Sequence, residues 1–189
     1  MLEAQIGGFD TSQVFMDGGS GINIIFADTL RGMNRSLANL AHSETTFHGI
    51  VPGKPVFPLG KIALDVIFGE PTNFRREKID FEVVDWPSQY HAILGRPAFA
   101  RFMAVPHYAY LKLKMPGPAD TITIHGSFKR SDYCDKEFNR ISELFGTQEE
   151  LAQLKLSTDN SVLSQSKKVA HEATSSPPDG SFPDNLGVD

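Results

Sequence analysis

Val14-Phe15-Met16-Asp17-Gly18-Gly19-Ser20-Gly21-Ile22-Asn23-Ile24-Ile25-Phe26 joins two apolar runs through an acid and a cluster of glycines. The runs Val14 to Met16 and Ile22 to Phe26 read as short strands. A strand that ends in a carboxylate, followed by two residues without a Cβ, exposes the acid and lets another backbone come close to it. Asp-Gly and Gly-Gly are also common turn dipeptides, so on this stretch alone simple chain reversal is the favoured reading. A second segment shifts the balance: Ala92-Ile93-Leu94-Gly95-Arg96-Pro97 is another apolar run that closes on a glycine.

Outward from these two segments the chain reads as further short strands. They are Leu2 to Ile6, Ile62 to Phe68, Ile79 to Val84, His91 to Leu94, Tyr108 to Lys114 and Thr121 to Ile124. Ile62, Leu64, Val66 and Phe68 share one face, and Ile79, Phe81 and Val83 lie opposite Asp80 and Glu82. Strands of this kind between Gly and Pro turns predict a mainly β protein, closed or sandwiched, without parallel βαβ units. Two short helical stretches interrupt them. A weak helical turn is expected within Asp28 to Leu40, and Pro97 to Met103 starts with proline at a permitted first-turn position and groups Ala98, Phe99 and Phe102.

The composition changes beyond Lys129. Phe138, Ile141, Leu144 and Phe145 have helical spacing, and Thr147-Gln148-Glu149-Glu150 matches a capping box before Leu151 and Leu154. We therefore expect a β domain over 1–130, a helical appendage over 131–156 and a disordered tail or linker over 157–189, where Ser, Asp, Asn, Pro and Gly dominate. The 189 residues, with 40% hydrophobic content, suffice for one core of ordinary size. A net charge of -5 with scattered Lys and Arg gives no footprint for nucleic acid or an anionic membrane, so neither is expected as a partner. The absence of a long apolar stretch and of a signal-like N-terminus predicts a soluble, intracellular chain. The one cysteine, Cys134, reads as a passive thiol.

Taken in order and spacing, several motifs resemble the protease region of plant gypsy-type retrotransposon polyproteins, a retropepsin-type aspartic protease. They are Gly8-Phe9-Asp10, the acid loop, Phe47-His48-Gly49, Pro58-Leu59-Gly60, Phe81-Glu82-Val83-Val84-Asp85 and Ile93-Leu94-Gly95-Arg96-Pro97, spanning about Leu2 to Lys114. The resemblance implies a small closed β-barrel in which a helix follows the apolar-apolar-Gly loop, and it makes Asp17 the catalytic acid. Peptide hydrolysis needs a base and an acid acting together, and two aspartates sharing a proton supply both. This chain offers one Asp-Gly-Gly loop, which implies a symmetric homodimer with water held between two Asp17 carboxylates and no cofactor. Gly19 and Gly21 would let an extended polypeptide substrate, expected to be its own polyprotein, pass close to the dyad. Ser20 would serve the turn. Thr45 to Ile62 has the place of a β-hairpin flap with Ile50, Val51, Pro52 and Gly53 at its tip, although Pro52, Pro55 and Pro58 also suit a surface loop. Ile93 is either a pocket wall or a core residue.

The chain departs from that family in ways that leave a second reading open, an inactive module that dimerises or binds peptides. Gly18 stands where the family usually has a hydroxyl residue. Gly21 stands where retroviral relatives have an acid facing the arginine of the Gly-Arg loop, which leaves Arg96 to pair with Asp28 or Asp85. The start at Met1-Leu2-Glu3 and the missing flanking regions suit a fragment or a gene remnant. The 6 histidines show no ligand spacing, so no metal site is expected. Trp86, Tyr90, Tyr108 and Tyr110 read as packing residues at strand edges.

Overall fold

Alternating side chains form the longest elements of the fold. In this computed structural model, which describes residues 1–48 and 55–145, β4 (Gly60–Glu70) pairs antiparallel with β5 (Asn73–Val84) from Gly60↔Val83 to Glu70↔Asn73. Leu64, Val66 and Phe68 of one strand and Ile79, Phe81 and Val83 of the other are buried, while Asp65, Lys78 and Asp80 between them face water. Period-two chemistry thus sets which face of the hairpin becomes the core.

The hairpin is one side of a closed six-stranded barrel in the order β1-β2-β6-β3-β5-β4. Its other strands are β1 (Leu2–Ile6), β2 (Phe9–Met16), β3 (Ile24–Phe26) and β6 (Ala92–Leu94), and closure comes from β1 pairing with β4. A three-stranded sheet β7-β8-β9 follows, made of Val105–His107, Lys112–Pro116 and Thr121–His125. The helices are short: α1 (Ala27–Gly32), a 3-10 turn at Leu37–Asn39, and α2 (Arg96–Phe102). A third, α3, begins at 128 and runs to 145. The chain is therefore mainly β, and among the described residues no helix is long and apolar enough to cross a membrane.

The main core fills the barrel and continues under α2. Phe102 and Phe68 meet edge to face at 5.1 Å, with Leu113, Met115 and Ile122 of the second sheet in the same cluster. Burying an aromatic ring of this size contributes about 1.5–3 kcal/mol. A second cluster gathers Ile24, Phe26, Val84, Tyr90, Ile93 and Cys134, with Phe138 of α3 packed against it. The first compact unit is Met1–Leu144; the second begins at Phe145 and lies almost wholly outside the described residues.

Several expected elements move. The strand expected over Ile22 to Phe26 starts at Ile24, because Ile22 is drawn into the turn by Ser20. The helical turn within Asp28 to Leu40 divides into α1 and the separate turn at Leu37–Asn39, with Asn34 between them at φ 55. The strand expected over Tyr108 to Lys114 begins only at Lys112: the amide of Leu111 donates to Tyr108 O at 3.2 Å, and Leu111 itself has φ 48, so the segment before it is a turn. Tyr108 and Tyr110, expected to pack, are 50% and 73% exposed on that turn. The expected capping box and tail lie outside the described residues.

Candidate active site

β6 pairs with both strands that flank the acid loop. Val14, Phe15 and Met16 of β2 lie parallel to Ala92, Ile93 and Leu94, while Ile24 and Ile25 of β3 lie antiparallel to Ile93 and Ala92 on its other side. The residues between Met16 and Ile24 must therefore cross over the end of β6, where Gly95 stands. A Cβ on Gly95 would lie 2.2 Å from Ile22 O and 2.8 Å from Ser20 O, so only a glycine permits this crossing. The pattern of two apolar runs each closing on glycine, visible in the sequence, is thus one physical junction.

Hydrogen bonds fix the crossing. The Asp17 amide donates to Leu94 O at 2.9 Å, the Arg96 amide donates to Ser20 O at 3.0 Å, and the Ser20 amide returns to Asp17 O at 3.2 Å. The Asp17 carboxylate accepts the Gly19 amide on Oδ1 at 2.9 Å. Ser20 Oγ donates to Ile22 O at 2.8 Å and accepts the Ile22 amide at 3.2 Å. The Gly18 amide donates to Tyr108 Oη at 2.8 Å. Every amide from Asp17 to Ser20 has a partner, which leaves the acid on a held turn.

Asn23 is the buried support of this junction, and reasoning from the sequence passed over it. It is 4% exposed; its Oδ1 accepts the Gly95 amide at 3.0 Å and its Nδ2 donates to Asp80 O at 3.0 Å. One side chain thus ties the glycine loop to β5. A lone amide inside the apolar run Ile22 to Phe26 was the available signal, because a buried carboxamide must be hydrogen-bonded. Tyr108 gave no local signal.

Of the residues singled out from sequence, Asp17 stands at the end of β2, Gly19, Ser20 and Gly21 lie in the crossing turn, and Ile93 is buried in β6 at 7% exposure. Ile50, Val51, Pro52 and Gly53 lie outside the described residues. Among the described residues, those on either side of them are joined by the isolated bridges Ala41↔Lys61 and Phe47↔Val56, the latter closed by Val56 N to Phe47 O at 2.7 Å and the reciprocal bond at 3.2 Å. Pro55 and Pro58 remove the donors a longer ladder would need. Val56 is buried against the second cluster, the same cluster that contains Ile93.

The expected partners of Arg96 are taken by another residue. Arg31 of α1 holds Asp28 at 2.6 Å and reaches both oxygens of Asp85 at 3.1 and 3.2 Å. Arg31 lies beside those acids because α1 follows β3, whereas Arg96 opens α2 and projects toward Gly21, with its Nη2 3.5 Å from a Cβ built there.

An open groove of about 650 Å³ begins at Gly21, Ile22 and Asn23 and extends to Lys61 and Glu82. Glu82 is 7% exposed; Thr45 Oγ1 donates to its Oε1 at 3.0 Å and Lys61 Nζ stands 3.5 Å away. On the other flank, Tyr90 stacks on Phe15 at 5.5 Å, and burial, with Asp135 and Cys134 adding to it, pushes its hydroxyl up to about 12. Burial also pushes the Cys134 thiol up, which keeps it a poor nucleophile. Burial holds the His91 imidazole below its ordinary range. Among the described residues no group of His, Cys, Asp and Glu is arranged to hold a metal ion.

The class this fold defines is a small, closed, mainly β barrel with an acid loop crossed over a glycine loop. No protein-family model matches the chain, and no curated protein matches it. Among matching solved structures is the crystal structure of the retroviral protease-like domain of Ddi1 from Leishmania major. It is similar with a TM-score of 0.45 and 14% identity, covering 66% of this chain and 89% of that chain.

Proposed function

We propose that this chain is a retropepsin-type aspartic endopeptidase from a plant gypsy-type retrotransposon polyprotein, working as a homodimer. The observation that carries the reading is the crossing itself: β6 lies between β2 and β3, and Gly95, where no side chain fits under Ile22 O and Ser20 O, lets the turn that carries Asp17 lie against the end of β6. A carboxylate on such a turn has a defined direction, which general acid-base chemistry requires.

The reaction needs a second carboxylate, and a two-fold axis beside the loop supplies it from the partner's copy of the same loop. Two carboxylates about 3 Å apart share one proton, because both cannot ionise easily. The ionised member takes a proton from water as the water oxygen bonds to the scissile carbonyl carbon, and the protonated member gives its proton to the carbonyl oxygen to form the diol. The C–N bond then breaks as the first member passes its proton to the amine and the diol returns one to the second. The turn of Gly19, Ser20 and Gly21 forms the floor under an extended polypeptide, with Ile93 as a wall, and Ile50, Val51, Pro52 and Gly53 are the further substrate-binding residues. The groove from Gly21 toward Glu82 accommodates residues farther along that peptide, which is the chain's own polyprotein.

Cleavage of a diverse peptide library by the purified chain, from acidic to neutral pH, tests this reading. Cuts abolished by Asp17→Asn and by a statin-type transition-state mimic are expected, together with a dimer in sedimentation. A dimer that binds peptides and cuts none would replace the protease with a binding module.

A further inference from the structure

The turn between β7 and β8 reaches back to the acid loop across a separation of 90 residues. Tyr108 stands first on that turn, and its hydroxyl accepts the Gly18 amide at 2.8 Å. A Cβ built on Gly18 would lie 2.5 Å from the same oxygen and 3.5 Å from the ring carbon that bears it. The hydroxyl therefore occupies both the hydrogen-bonding position and the space that a side chain at residue 18 would need.

The backbone of the turn that carries Tyr108 is itself held. The Tyr108 carbonyl accepts the Leu111 amide at 3.2 Å, and Leu111 O accepts the Gly126 amide at 2.6 Å, which ties the turn to the end of β9. His107 Nδ1 accepts the Tyr110 amide at 3.2 Å and the two rings stack at 4.5 Å. Beneath the turn Leu113 is buried in the main core at 1% exposure. The tyrosine is thus a strut from the second sheet to the residue that follows Asp17.

We propose that Tyr108 is a positioning residue for Asp17: its hydroxyl clamps the Gly18 amide, and through that one peptide unit sets the direction of the acid. Residue 18 is a glycine because the clamp fills its side-chain space. A side chain at 18 would displace the tyrosine hydroxyl from this position. Without the clamp, the turn keeps its bonds to Leu94 and Arg96, but the Gly18 peptide loses its one partner and the direction of the Asp17 carboxylate is less closely set.

The kinetic part of this inference rests on the protease reading; the clamp itself is tested without it. Amide hydrogen exchange of Gly18 in the full chain should speed up about 5- to 10-fold in Tyr108→Phe, the loss expected for one neutral hydrogen bond, while amides in β4 and β5 stay unchanged. In peptide cleavage the same variant should lower kcat about 10-fold with KM little changed. Gly18→Ser should impair cleavage and raise Gly18-region exchange when Tyr108 is present, and Gly18→Ser with Tyr108→Ala should recover part of both. A general loss of packing at residue 108 cannot produce that reversal of sign. Unchanged Gly18 exchange in Tyr108→Phe, or additive effects of the two changes, overturns the clamp. A reversal in exchange alone, from a wild-type chain that cuts no peptide, upholds the clamp and discards the protease.

Discussion

The β4–β5 hairpin and the acid-loop crossing are held by different physics. The hairpin pairs over the full length of β4, and its side chains alternate between core and water, so its stability is spread over many similar contacts. The crossing links β2 to β3 over the end of β6, the last two being strands of three residues, and depends on one glycine, one buried asparagine and a few directional hydrogen bonds. Distributed apolar burial tolerates the loss of any one surface residue. Concentrated polar and steric fit does not, and this concentration is what lets a few atoms aim one carboxylate.

Substitutions in the two regions sharpen that contrast. The largest effect is expected from Gly95→Ala, which drives a methyl group into the Ile22 and Ser20 carbonyls; a loss of at least about 4 kcal/mol in urea unfolding should accompany loss of any peptidase activity. Phe81→Ala, inside the hairpin at 1% exposure, should cost about 3–4 kcal/mol by the same measurement, with the residual folded protein keeping the crossing intact. Asn23→Ala strands the Gly95 amide and Asp80 carbonyl and should cost about 2–3 kcal/mol, with a loss of activity larger than the loss of folded protein.

A pH experiment probes the crossing next. His91 sits just before β6, its amide donating to Gln13 O at 2.9 Å and its carbonyl accepting Thr29 Oγ1 at 2.9 Å, while its Nδ1 is buried without a hydrogen-bond partner among the described residues. Burial lowers its pKa, so below about 6.5 the unfolded chain takes up a proton that the folded chain resists. Its contribution to stability is complete above that pH and is lost as pH falls toward the folded value. Urea midpoints at about pH 7.5 and about pH 5.5 should differ less in His91→Gln than in the unchanged chain. The smallest effect belongs to Lys78→Thr on the exposed face of the hairpin, where a change within about 0.5 kcal/mol is expected. A larger loss there would remove the contrast between the two regions.

Legibility in the sequence follows the same division. Ile62 to Phe68 and Ile79 to Val84 were readable because a half-buried strand must alternate, and each extends in the fold well beyond its apolar section because backbone pairing continues through polar residues such as Arg75 and Arg76. The crossing left a trace only as two apolar runs ending in glycine, and nothing in their periodicity says that β6 lies between β2 and β3. β7 escaped notice because Val105-Pro106-His107 has no alternation; as an edge strand it accepts a proline. Tyr108 to Leu111 continued an apolar pattern, but the His107 to Tyr110 stacking and the left-handed Leu111 turned it into the loop that reaches Gly18. Asn23 and Tyr108 act across long sequence separations, which local pattern does not encode.

The place of β6 between β2 and β3 also sets an order of events during synthesis. Asp17 and its turn leave the ribosome long before Ala92–Leu94, the strand on which both flanks of that turn depend. Until β6 has been made and inserted, Met16 and Ile24 have no common neighbour, and the acid rests on an unsupported, flexible stretch. Non-local pairing of this kind forms late because the intervening loop must close first. The acid is written ahead of β6, and a polypeptide that stops short of Ala92 carries it unaimed.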